Sequence, residues 1–497
     1  MQPMEYKGNF FNGAFHKADK NAWEKYSPAD LKDHVFTAYE NQEHVDQAVD
    51  SAREAFKTWS KLSLDERKAA LLRLKQVYQD REEYIARCIS RETGKALWET
   101  RGEAKALAAK IDITINASLD LVKDQKVSAA VGDLDGYIRY KPKGVMAIVG
   151  PFNFPAHLPN GHMIPALLTG NTVVFKPSEM TPATGQLMAE MVQAANLPAG
   201  VFNLVQGQVD TSKRLVRHDY VDAVLFTGSY ETGLRIKQDT LSHYWKSLAL
   251  EMGGKNASFV WKDADLDKAV YDCLFGAYAS AGQRCSCTSR ILLHKDIHDA
   301  FLEKFHQAAK KIQIGYFEED VFYGPLINEA SMERYLRFQQ IAEREGHEKI
   351  MRGKQLDVGK EGYYVSPSIY KINESQKDSV FEHEEIFGPS VAVYSVDSWE
   401  QSIELINDTS YGLAASVFTK NRQVYLDAFY EIKAGNINWN RPTCGASSKL
   451  PFGGEKKSGN GWPSGHFAVY YCTSPVSAIE DDSGFDSTKI ATGIQWD

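Results

Sequence analysis

The chain has few cysteines, no long apolar run and no recognisable leader, and each absence excludes a class of protein. Its six cysteines in 497 residues are irregularly spaced, which is not typical of a disulfide framework. No apolar run approaches the roughly 18 residues that are needed to span a bilayer. The first residues, MQPMEYKGNFFNG, lack the charged and apolar regions of a secretory signal. We therefore expect a cytoplasmic protein without a membrane anchor.

The charge pattern argues against nucleic-acid and membrane partners. The chain has 57 basic and 65 acidic side chains, a net charge of −8, and the two signs are mixed along its length. No basic stripe favours nucleic acid, and no cluster of Lys and Arg beside an apolar helix favours a membrane surface. The length exceeds what one hydrophobic core supports, so we expect about two to four domains.

Hydrophobic periodicity predicts an α/β protein. Apolar residues recur at helical spacing from about Val45 to Leu121, and GDLDGYIRYKPKG (132–144) is typical of a strand hairpin. Short apolar runs then alternate with helical stretches such as 182–195 and 211–218. The runs are GVMAIVG (144–150), NTVVFK (171–176), VFNLV (201–205) and DAVLF (222–226). Such alternation predicts βαβ units and a doubly wound, mainly parallel sheet.

A second alternation begins after Glu251 and predicts a second lobe of the same kind. The predicted order is SFVW (258–261), a helix to about Ala281, SRILLH (289–294), a helix through Ile312, VAVYSV (391–396), AASVFTK (414–420) and GNINW (435–439). The apolar segment HFAVYYCTSPVSA (466–478) is strand-like and has no obvious hairpin partner. Such a strand often pairs with another subunit, so we expect an oligomer.

Two cysteines lie close together in AGQRCSCTSR (281–290), and three interpretations are open. A thiol becomes a useful nucleophile where N–H groups, a helix end or a cation stabilise its thiolate, and Arg284 offers a cation beside Cys285. An intracellular cysteine is more often a small buried apolar residue. A metal site would need more ligands than Cys285, Cys287 and His294 supply, so we predict no metal.

Three other segments place polar residues where an α/β sheet binds ligands. Glu251 lies between apolar residues and a Gly-Gly pair in LALEMGGKNASFV (248–260). Burial there would raise the pKa of its carboxyl and suit a general base, although an ordinary acidic residue at a strand end is the alternative. Asn153 follows a strand on a proline-bounded turn, where its amide can donate to an oxyanion. Lys176 and Glu179 end the next strand, at the edge where open parallel sheets bind ligands.

Seven segments in order along the chain together resemble the aldehyde dehydrogenase superfamily: PFNFP, KPSE, FTGSYETG, LEMGGKN, GQRC, EEIFGP and PFGG. The resemblance covers nearly the whole chain. It implies two Rossmann-like, doubly wound parallel-sheet lobes, one for NAD and one for catalysis, with a small β element for assembly into a homodimer or homotetramer. We predict an NAD-binding domain over 1–124 and 144–250, a catalytic domain over 251–458, and an oligomerisation segment over 125–143 and 459–497.

The resemblance assigns a role to each candidate catalytic residue. Cys285 matches the nucleophile, Glu251 the general base, and Asn153 the side-chain half of an oxyanion hole whose other half is the Cys285 backbone N–H. The implied reaction is attack of the Cys285 thiolate on an aldehyde, hydride transfer to NAD, and hydrolysis of the thioester by water that Glu251 activates. Cys287 is then a neighbour. A family member that has lost activity is the alternative, but all three residues are present.

The implied cofactor site lacks the usual dinucleotide fingerprint, since no G-x-G-x-x-G follows a strand. The resemblance places the pyrophosphate near FTGSYETG, at the start of a helix. It implies that Lys176 and Glu179 hold the adenosine ribose. A carboxylate there repels a 2′-phosphate, so NAD is favoured over NADP. Glu385 matches the residue that binds the nicotinamide ribose, and Phe387 would pack near the nicotinamide ring. The full predicted set is Lys176, Glu179, Thr227, Gly228, Ser229, Gly233, Glu385 and Phe387.

Longer matches resemble the subfamily that oxidises N-succinylglutamate 5-semialdehyde in arginine catabolism. They are FNFPAHLPNGHMIPALLTGNTVVFKPSE, AGQRCSCTSR, LVQG and NWNRPTCGASS. In several relatives that act on amino-acid semialdehydes, the loop before PFGG offers N–H groups to a substrate carboxylate. The predicted substrate residues are Phe152, Arg284, Gly445, Ala446 and Ser447, although an ion pair is an equal alternative for the arginine. The chain departs from the subfamily at Lys255 and at Gly461 and Trp462. Glutamate 5-semialdehyde (pyrroline-5-carboxylate) and a broader aliphatic aldehyde therefore remain alternatives.

Overall fold

Two seven-stranded sheets, one from each half of the chain, form the frame of the protein. They are seen in a computed structural model that describes residues 2–496. Both sheets are mainly parallel and are covered by helices, which confirms the predicted α/β class with two doubly wound lobes. No helix within 2–496 is both long and apolar enough to cross a bilayer.

The first half of the chain alternates helices with strands after an opening group of four strands. Its elements are β1 (Asn9–Phe11), β2 (Ala14–His16), β3 (Lys20–Ser27), β4 (Asp30–Glu40), α1 (Glu43–Trp59), α2 (Leu64–Asp80), α3 (Glu82–Thr93), α4 (Leu97–Asn116), β5 (Gln125–Val131), β6 (Leu134–Pro142), β7 (Val145–Val149), α5 (His157–Leu168), β8 (Thr172–Lys176), α6 (Pro182–Ala194), β9 (Phe202–Leu204), α7 (Val209–Arg217), β10 (Ala223–Thr227), α8 (Tyr230–Asp239) and β11 (Ser247–Glu251).

The first sheet has the strand order β11-β10-β7-β8-β9-β1-β2. Strands β7, β8 and β10 are buried along their whole length, because helices pack on both faces. This burial explains why they consist of continuous apolar runs. From β7 the chain moves through β8 and β9 on one side, and then returns to β10 on the other. The reversal leaves a crevice at the carboxyl ends of β7 and β10, where open α/β sheets bind ligands.

The second half builds another sheet, with the order β14-β15-β16-β13-β12-β18-β19. Its elements are β12 (Asn256–Val260), α9 (Leu266–Tyr278), β13 (Thr288–His294), α10 (Lys295–Ala309), α11 (Glu329–Arg344), β14 (Glu348–Met351), β15 (Ser368–Ile372), α12 (Val380–His383), β16 (Ser390–Val396), α13 (Trp399–Asn407), β17 (Tyr411–Gly412), β18 (Ala414–Phe418), α14 (Arg422–Glu431), β19 (Asn436–Trp439), β20 (Pro451–Phe452), β21 (Glu455–Lys456), β22 (Ser464–Gly465), α15 (Ala468–Tyr471) and β23 (Thr473–Glu480).

The apolar segment near the carboxyl terminus corrects one sequence-based expectation. It was expected to be a strand without a partner in the chain, but residues 468–471 form the short helix α15 and only β23 is extended. Strand β23 pairs antiparallel with β6 along its whole length, from Thr473 opposite Pro142 to Glu480 opposite Asp135. The pairing was not visible in the sequence because more than 300 residues separate the two strands. The argument for an oligomer from an unpaired strand is therefore wrong.

Two further differences from the sequence prediction lie near the crevice. The helix predicted to about Ala281 ends at Tyr278, because Ser280 and Ala281 have left-handed backbone angles, with φ of 55° and 53°. The sequence analysis assigned no structure to residues 1–44. Strands β1 and β2 extend the first sheet there, and β3 and β4 form a hairpin whose Trp23 indole donates to the Glu179 carbonyl at 3.0 Å.

The core of the first sheet yields a test of the fold. Leu225 in β10 is completely buried in that core. We predict that Leu225→Ala lowers the free energy of unfolding by about 2–5 kcal/mol, because it removes buried methyl groups and leaves a cavity. Urea denaturation measures the change. Leu72→Ala on α2, where 46% of the side chain is exposed, is the matched control and is expected to shift stability by less than about 0.5 kcal/mol. Equal shifts for the two variants would contradict the assigned packing.

Candidate active site

A cavity of about 560 Å³ lies at the carboxyl ends of β7, β8 and β10 and reaches Cys285. It meets the crevice that strand order predicts for the first sheet. Its walls include the predicted substrate residue Phe152 and most of the residues predicted for cofactor and catalysis, but not Glu251 or Gly233. The wall residues of these two groups are Asn153, Lys176, Glu179, Thr227, Gly228, Ser229, Cys285, Glu385 and Phe387. One continuous cleft therefore collects residues that come from both halves of the chain.

The backbone before Cys285 is held in a conformation that few residues adopt. Ser280, Ala281 and Gly282 are all left-handed, with φ of 55°, 53° and 72°. A Cβ on Gly282 would lie 2.3 Å from the Gly388 carbonyl oxygen, so only glycine fits between the two segments. Left-handed non-glycine residues cost on the order of 1–3 kcal/mol each and persist where surrounding contacts fix them.

Side-chain hydrogen bonds fix the segment on the other side of Cys285. The Asn256 amide donates to the carbonyls of Cys285 and Cys287, at 2.7 and 2.8 Å. The Thr443 hydroxyl donates to the Ser286 carbonyl at 2.7 Å. The backbone of the Cys285 loop is thus tied both to β12 and to the loop that precedes residues 445–447.

The two neighbouring cysteines have different environments. Cys285 lines the cavity, whereas Cys287 is 7% exposed and directs its thiol at the Ala279 carbonyl, 3.7 Å away. Burial, followed by the nearby carboxyls of Glu251 and Glu385, raises the pKa of the Cys285 thiol well above its usual value. The Ser286 N–H acts in the opposite direction. Cys285 is therefore the accessible thiol of the two, and its surroundings favour the protonated form.

Glu251 is a buried carboxyl without a hydrogen-bond partner. It ends β11, is 1% exposed, and neither of its carboxyl oxygens accepts a hydrogen bond from any residue in 2–496. Burial raises the pKa of Glu251 well above its usual value. An unsatisfied buried acceptor is costly, and groups with strongly shifted pKa values cluster at functional sites, so both observations support the predicted role of Glu251. Such a carboxyl is suited to take a proton at neutral pH.

Asn153 has one amide hydrogen available for the cavity. Its Nδ2 donates to the Gln283 carbonyl at 3.0 Å, and its Oδ1 accepts from the Phe154 N–H at 3.1 Å. An amide group carries two N–H hydrogens, so the bond to Gln283 leaves one uncommitted. Because Asn153 lines the same cavity as Cys285, this hydrogen is suited to an oxyanion formed there.

The predicted cofactor residues line the cleft, with Gly233 as the one exception. The Lys176 ammonium lies 3.5 Å from the Glu179 carboxylate, and Ser229 begins α8 with its hydroxyl accepting from the Thr232 N–H. Gly233 does not contribute to the wall. A Cβ there would lie 2.4 Å from the Met252 sulfur, so this glycine permits close packing of α8 against the residues that follow β11.

Glu385 and Phe387 form the wall opposite the first sheet. The Glu385 carboxylate accepts from the Gly254 N–H at 2.9 Å, and burial raises its pKa to about 7. Phe387 has a left-handed φ of 56°, an uncommon angle for a bulky residue. Its ring meets the ring of Phe152 edge to face, with 5.8 Å between the centroids. The strained backbone aims an aromatic face into the cleft.

The predicted substrate residues are less completely assembled. Phe152 lines the cavity, whereas Gly445, Ala446 and Ser447 are exposed and lie outside its walls. Arg284 lies 2.6 Å from Glu99 and donates through Nε to the Ser280 hydroxyl at 2.9 Å. This is the ion pair that the sequence analysis held as the alternative. The assignment of these residues to substrate remains a prediction.

Several cavity residues were not predicted from the sequence. They include Glu231, Arg235, Lys213, Arg334, Glu384 and Tyr411. Glu231 and Glu384 lie within two of the quoted motifs, FTGSYETG and EEIFGP, but at positions to which no role was assigned. The others lie in no quoted motif, and only the fold brings them to the cleft. The Arg334 guanidinium donates to the Glu385 carbonyl at 2.6 Å. Within residues 2–496, no group of three or more His, Cys, Asp or Glu side chains is arranged to hold a metal ion.

The chain is similar to known proteins in both sequence and structure. The profile of the Aldehyde dehydrogenase family matches residues 15–477. N-succinylglutamate 5-semialdehyde dehydrogenase of Chromobacterium violaceum is 38% identical over 488 residues, covering 98% of this chain and 99% of the relative. The Paraburkholderia xenovorans protein of the same name is 39% identical, covering 91% and 92%. The crystal structure of an NAD-dependent aldehyde dehydrogenase from Sinorhizobium meliloti superposes with a TM-score of 0.91 at 29% identity, covering 96% and 95%.

The environment of Cys285 predicts how its reactivity depends on pH. A raised thiol pKa leaves little thiolate at neutral pH, and the thiolate fraction grows about tenfold per pH unit until the pKa is reached. We predict that alkylation of the unliganded protein by iodoacetamide accelerates continuously from pH 7 to 9. Peptide mapping of the labelled Cys285, with Cys285→Ala as the blank, measures the rate. A rate that levels off below pH 8 would contradict the assignment.

Proposed function

The chain belongs to the aldehyde dehydrogenase family, and we propose that it oxidises an aldehyde to a carboxylic acid with NAD, using Cys285 as the nucleophile. The observation that carries the proposal is the proximity of three groups around Cys285. An accessible thiol at Cys285 and an uncommitted amide hydrogen on Asn153 line the same cleft. The buried carboxyl of Glu251 lies outside the cleft wall, has no hydrogen-bond partner within residues 2–496, and is near enough to Cys285 to help raise the pKa of its thiol. Together they supply a nucleophile, an oxyanion donor and a base.

The cleft suits an adenine dinucleotide. It extends from Cys285 to the Lys176–Glu179 pair, and its volume of about 560 Å³ lies within the range of cofactor sites. Ser229 is the N-cap of α8 at the edge of the cleft, and the start of a helix favours phosphate. The Gly228 N–H is not available for this, because it donates to the Glu251 carbonyl at 3.0 Å. Lys176 and Glu179 would hold the adenosine ribose, and Glu385 the nicotinamide ribose. When bound, NAD would supply the hydride acceptor.

The first chemical steps follow from the residues around Cys285. The thiol gives its proton to water in the cleft, and the thiolate sulfur forms a bond to the aldehyde carbon as the carbonyl π electrons move to oxygen, which places negative charge there. The Cys285 N–H and the free amide hydrogen of Asn153 stabilise that charge. Because Asn153 is fixed by its bonds to Gln283 and Phe154, its hydrogen needs no reorganisation as charge develops. Loss of a hydride from this adduct leaves a thioester on Cys285.

Hydrolysis of the thioester requires a base that can accept a proton from the attacking water. The Glu251 carboxyl has no partner to compete with water, and its raised pKa makes it a stronger base than an exposed carboxylate. It removes a proton from the attacking water, the carbon–sulfur bond breaks, and the acid leaves. The sum is one aldehyde, one NAD and one water converted to one acid, one NADH and one proton.

We propose N-succinyl-L-glutamate 5-semialdehyde as the substrate, with N-succinylglutamate as the product. The two relatives of that name, which align with more than nine-tenths of this chain, support it. Thr443 supports it as well, since its bond to the Ser286 carbonyl fixes the start of the loop of Gly445, Ala446 and Ser447 relative to Cys285. Backbone N–H groups on that loop would receive a substrate carboxylate.

Assembly and location complete the proposal. The sheet of β5, β6 and β23 exposes every residue of β5, including Val127 and Val131. We propose that this sheet, within segments 125–143 and 459–497, joins subunits into a homodimer or homotetramer, while 1–124 with 144–250 binds NAD and 251–458 supplies Cys285. All six cysteines are free, which supports a reducing compartment such as the cytoplasm.

The substrate is tested by comparing three aldehydes. We expect kcat/KM for N-succinylglutamate 5-semialdehyde to exceed that for glutamate 5-semialdehyde and for a simple aliphatic aldehyde by about 100-fold, roughly 2.7 kcal/mol of transition-state discrimination. NADH absorbance at neutral pH measures the rates, and Cys285→Ala is the inactive control. Similar values for all three would leave aldehyde oxidation standing and contradict the succinylated substrate. No oxidation of any of them would contradict the activity.

The choice of NAD over NADP is tested at Glu179. The Glu179→Gln change keeps the size of the side chain and removes the charge that repels a 2′-phosphate. We predict a rise of about tenfold or more in kcat/KM for NADP relative to NAD. Glu231→Gln, another carboxylate on the cleft wall, is the matched control and should leave the ratio within about twofold. An unchanged ratio in Glu179→Gln would show that this carboxylate does not select the cofactor.

A further inference from the structure

We propose that the start of helix α4 positions both halves of the oxyanion hole, through two buried ion pairs. One pair, Lys95 with Glu103, holds the loop that carries Asn153. The other, Glu99 with Arg284, holds the loop that carries Cys285. The inference rests on the proposed function, because it concerns residues that act through Asn153 and Cys285 without touching the substrate.

The first pair reaches the Asn153 loop at three atoms. Lys95 and Glu103 lie 2.9 Å apart, and their side chains are 4% and 0% exposed. The same Lys95 ammonium donates to the Asn153 carbonyl at 2.9 Å. The other Glu103 oxygen accepts from the N–H groups of Ala156 and His157, each at 3.1 Å. The loop from Asn153 to the start of α5 is thereby held at one end by Lys95, just before α4, and at the other end by Glu103 of α4.

The second pair reaches the Cys285 loop one helical turn away. Glu99 precedes Glu103 by four residues, so the two carboxylates share one face of α4. Glu99 accepts from the Arg284 guanidinium at 2.6 Å and from the Ser280 hydroxyl at 2.5 Å. Arg284 also donates to that hydroxyl. These contacts fix the left-handed turn that leads into Cys285, and they give Arg284 a structural role beside its predicted one.

The arrangement matters because the two oxyanion donors come from different sheets. Asn153 follows β7 of the first sheet, whereas Cys285 precedes β13 of the second. Only one direct bond joins the loops at this point, from Asn153 Nδ2 to the Gln283 carbonyl. The contacts of Glu99 and Glu103 on helix α4 hold both loops against the same helix. A displacement of a donor by about 1 Å can reduce a rate about 100-fold, so the separation of the two N–H groups must be fixed closely.

The test is a double-mutant cycle between Lys95 and Asn153. We predict that Lys95→Met lowers kcat by about 10- to 100-fold and leaves KM for the aldehyde within about threefold, because the lost positioning matters only when the oxyanion forms. In an Asn153→Ala background, which already lacks the donor, the same change should lower kcat by less than about threefold. Full additivity of the two losses would overturn the proposal.

A second lysine variant separates the specific effect of Lys95 on catalysis from the general effect of removing a lysine that pairs with α4. Lys75 forms an ion pair with Asp112 of α4 at 2.8 Å, but it contacts no catalytic loop. Lys75→Met should leave kcat within about twofold, and Lys95→Arg, which keeps the cation, should recover part of the lost rate. If Lys95→Met matches Lys75→Met in kcat, the ion pair serves stability alone and the proposal fails.

A second variant covers the case in which Lys95→Met does not fold. Removing the cation leaves Glu103 buried without a counter-ion, which destabilises proteins strongly. Lys95→Met combined with Glu103→Gln removes the bond to Asn153 without leaving a buried charge, and it enters the same cycle with the same expected result. Wild-type protein is measured alongside. An inactive wild type would refute the proposed function, whereas an active wild type with additive losses would refute only the positioning role.

Discussion

The active site depends on burial of the first turn of α4 between two loops that belong to different sheets. A parallel sheet fixes its own strand ends well, but it does not fix them relative to the ends of another sheet. Two carboxylates on one face of α4 fix the two loops relative to each other. Glu99 pairs with Arg284 of the Cys285 loop, and Glu103 pairs with Lys95, which precedes α4 and donates to the Asn153 carbonyl. Buried ion pairs suit this task because their geometry is specific, even where an apolar contact would stabilise the fold as well.

Burial sets the resting protonation of the cleft. Cys285, Glu251 and Glu385 are three acidic groups in one region of low dielectric constant, and the pKa of each is raised. Burial is the largest cause for each group, because the charged form is disfavoured away from water, and the carboxyls of Glu251 and Glu385 add to the shift of Cys285. Each group therefore keeps its proton to a higher pH than it would in water. Ionisation of the thiol coupled to occupancy of the cleft fits an enzyme that should not react with stray electrophiles.

The sequence predicts the two sheets and the residues on strand ends better than the parts between them. Three strands of the first sheet, β7, β8 and β10, are continuous apolar runs because both of their faces are buried. Each run is only five residues long, so it can be recognised from the local sequence alone. Cys285, Glu251 and Asn153 lie in short motifs, so resemblance finds them. Some of the buried charged residues were not predicted, because their segments have the composition of an ordinary exposed helix and linker. These residues are Lys95, Glu99 and Glu103, and only the three-dimensional structure shows that they are buried. The pairing of β23 with β6 was missed for the same reason, since no local pattern encodes a partner so far away in sequence.

That distant pairing also constrains the order in which the chain acquires structure during synthesis. Residues 134–142 are synthesised more than 300 residues before their partner strand at 473–480. Until then, one edge of β6 presents unpaired N–H and carbonyl groups to other nascent chains. The two large sheets are complete in sequence before this edge is covered. Slow translation of the second half would therefore prolong the interval in which the chain is prone to aggregate, and a ribosome-associated chaperone would act most usefully on that edge.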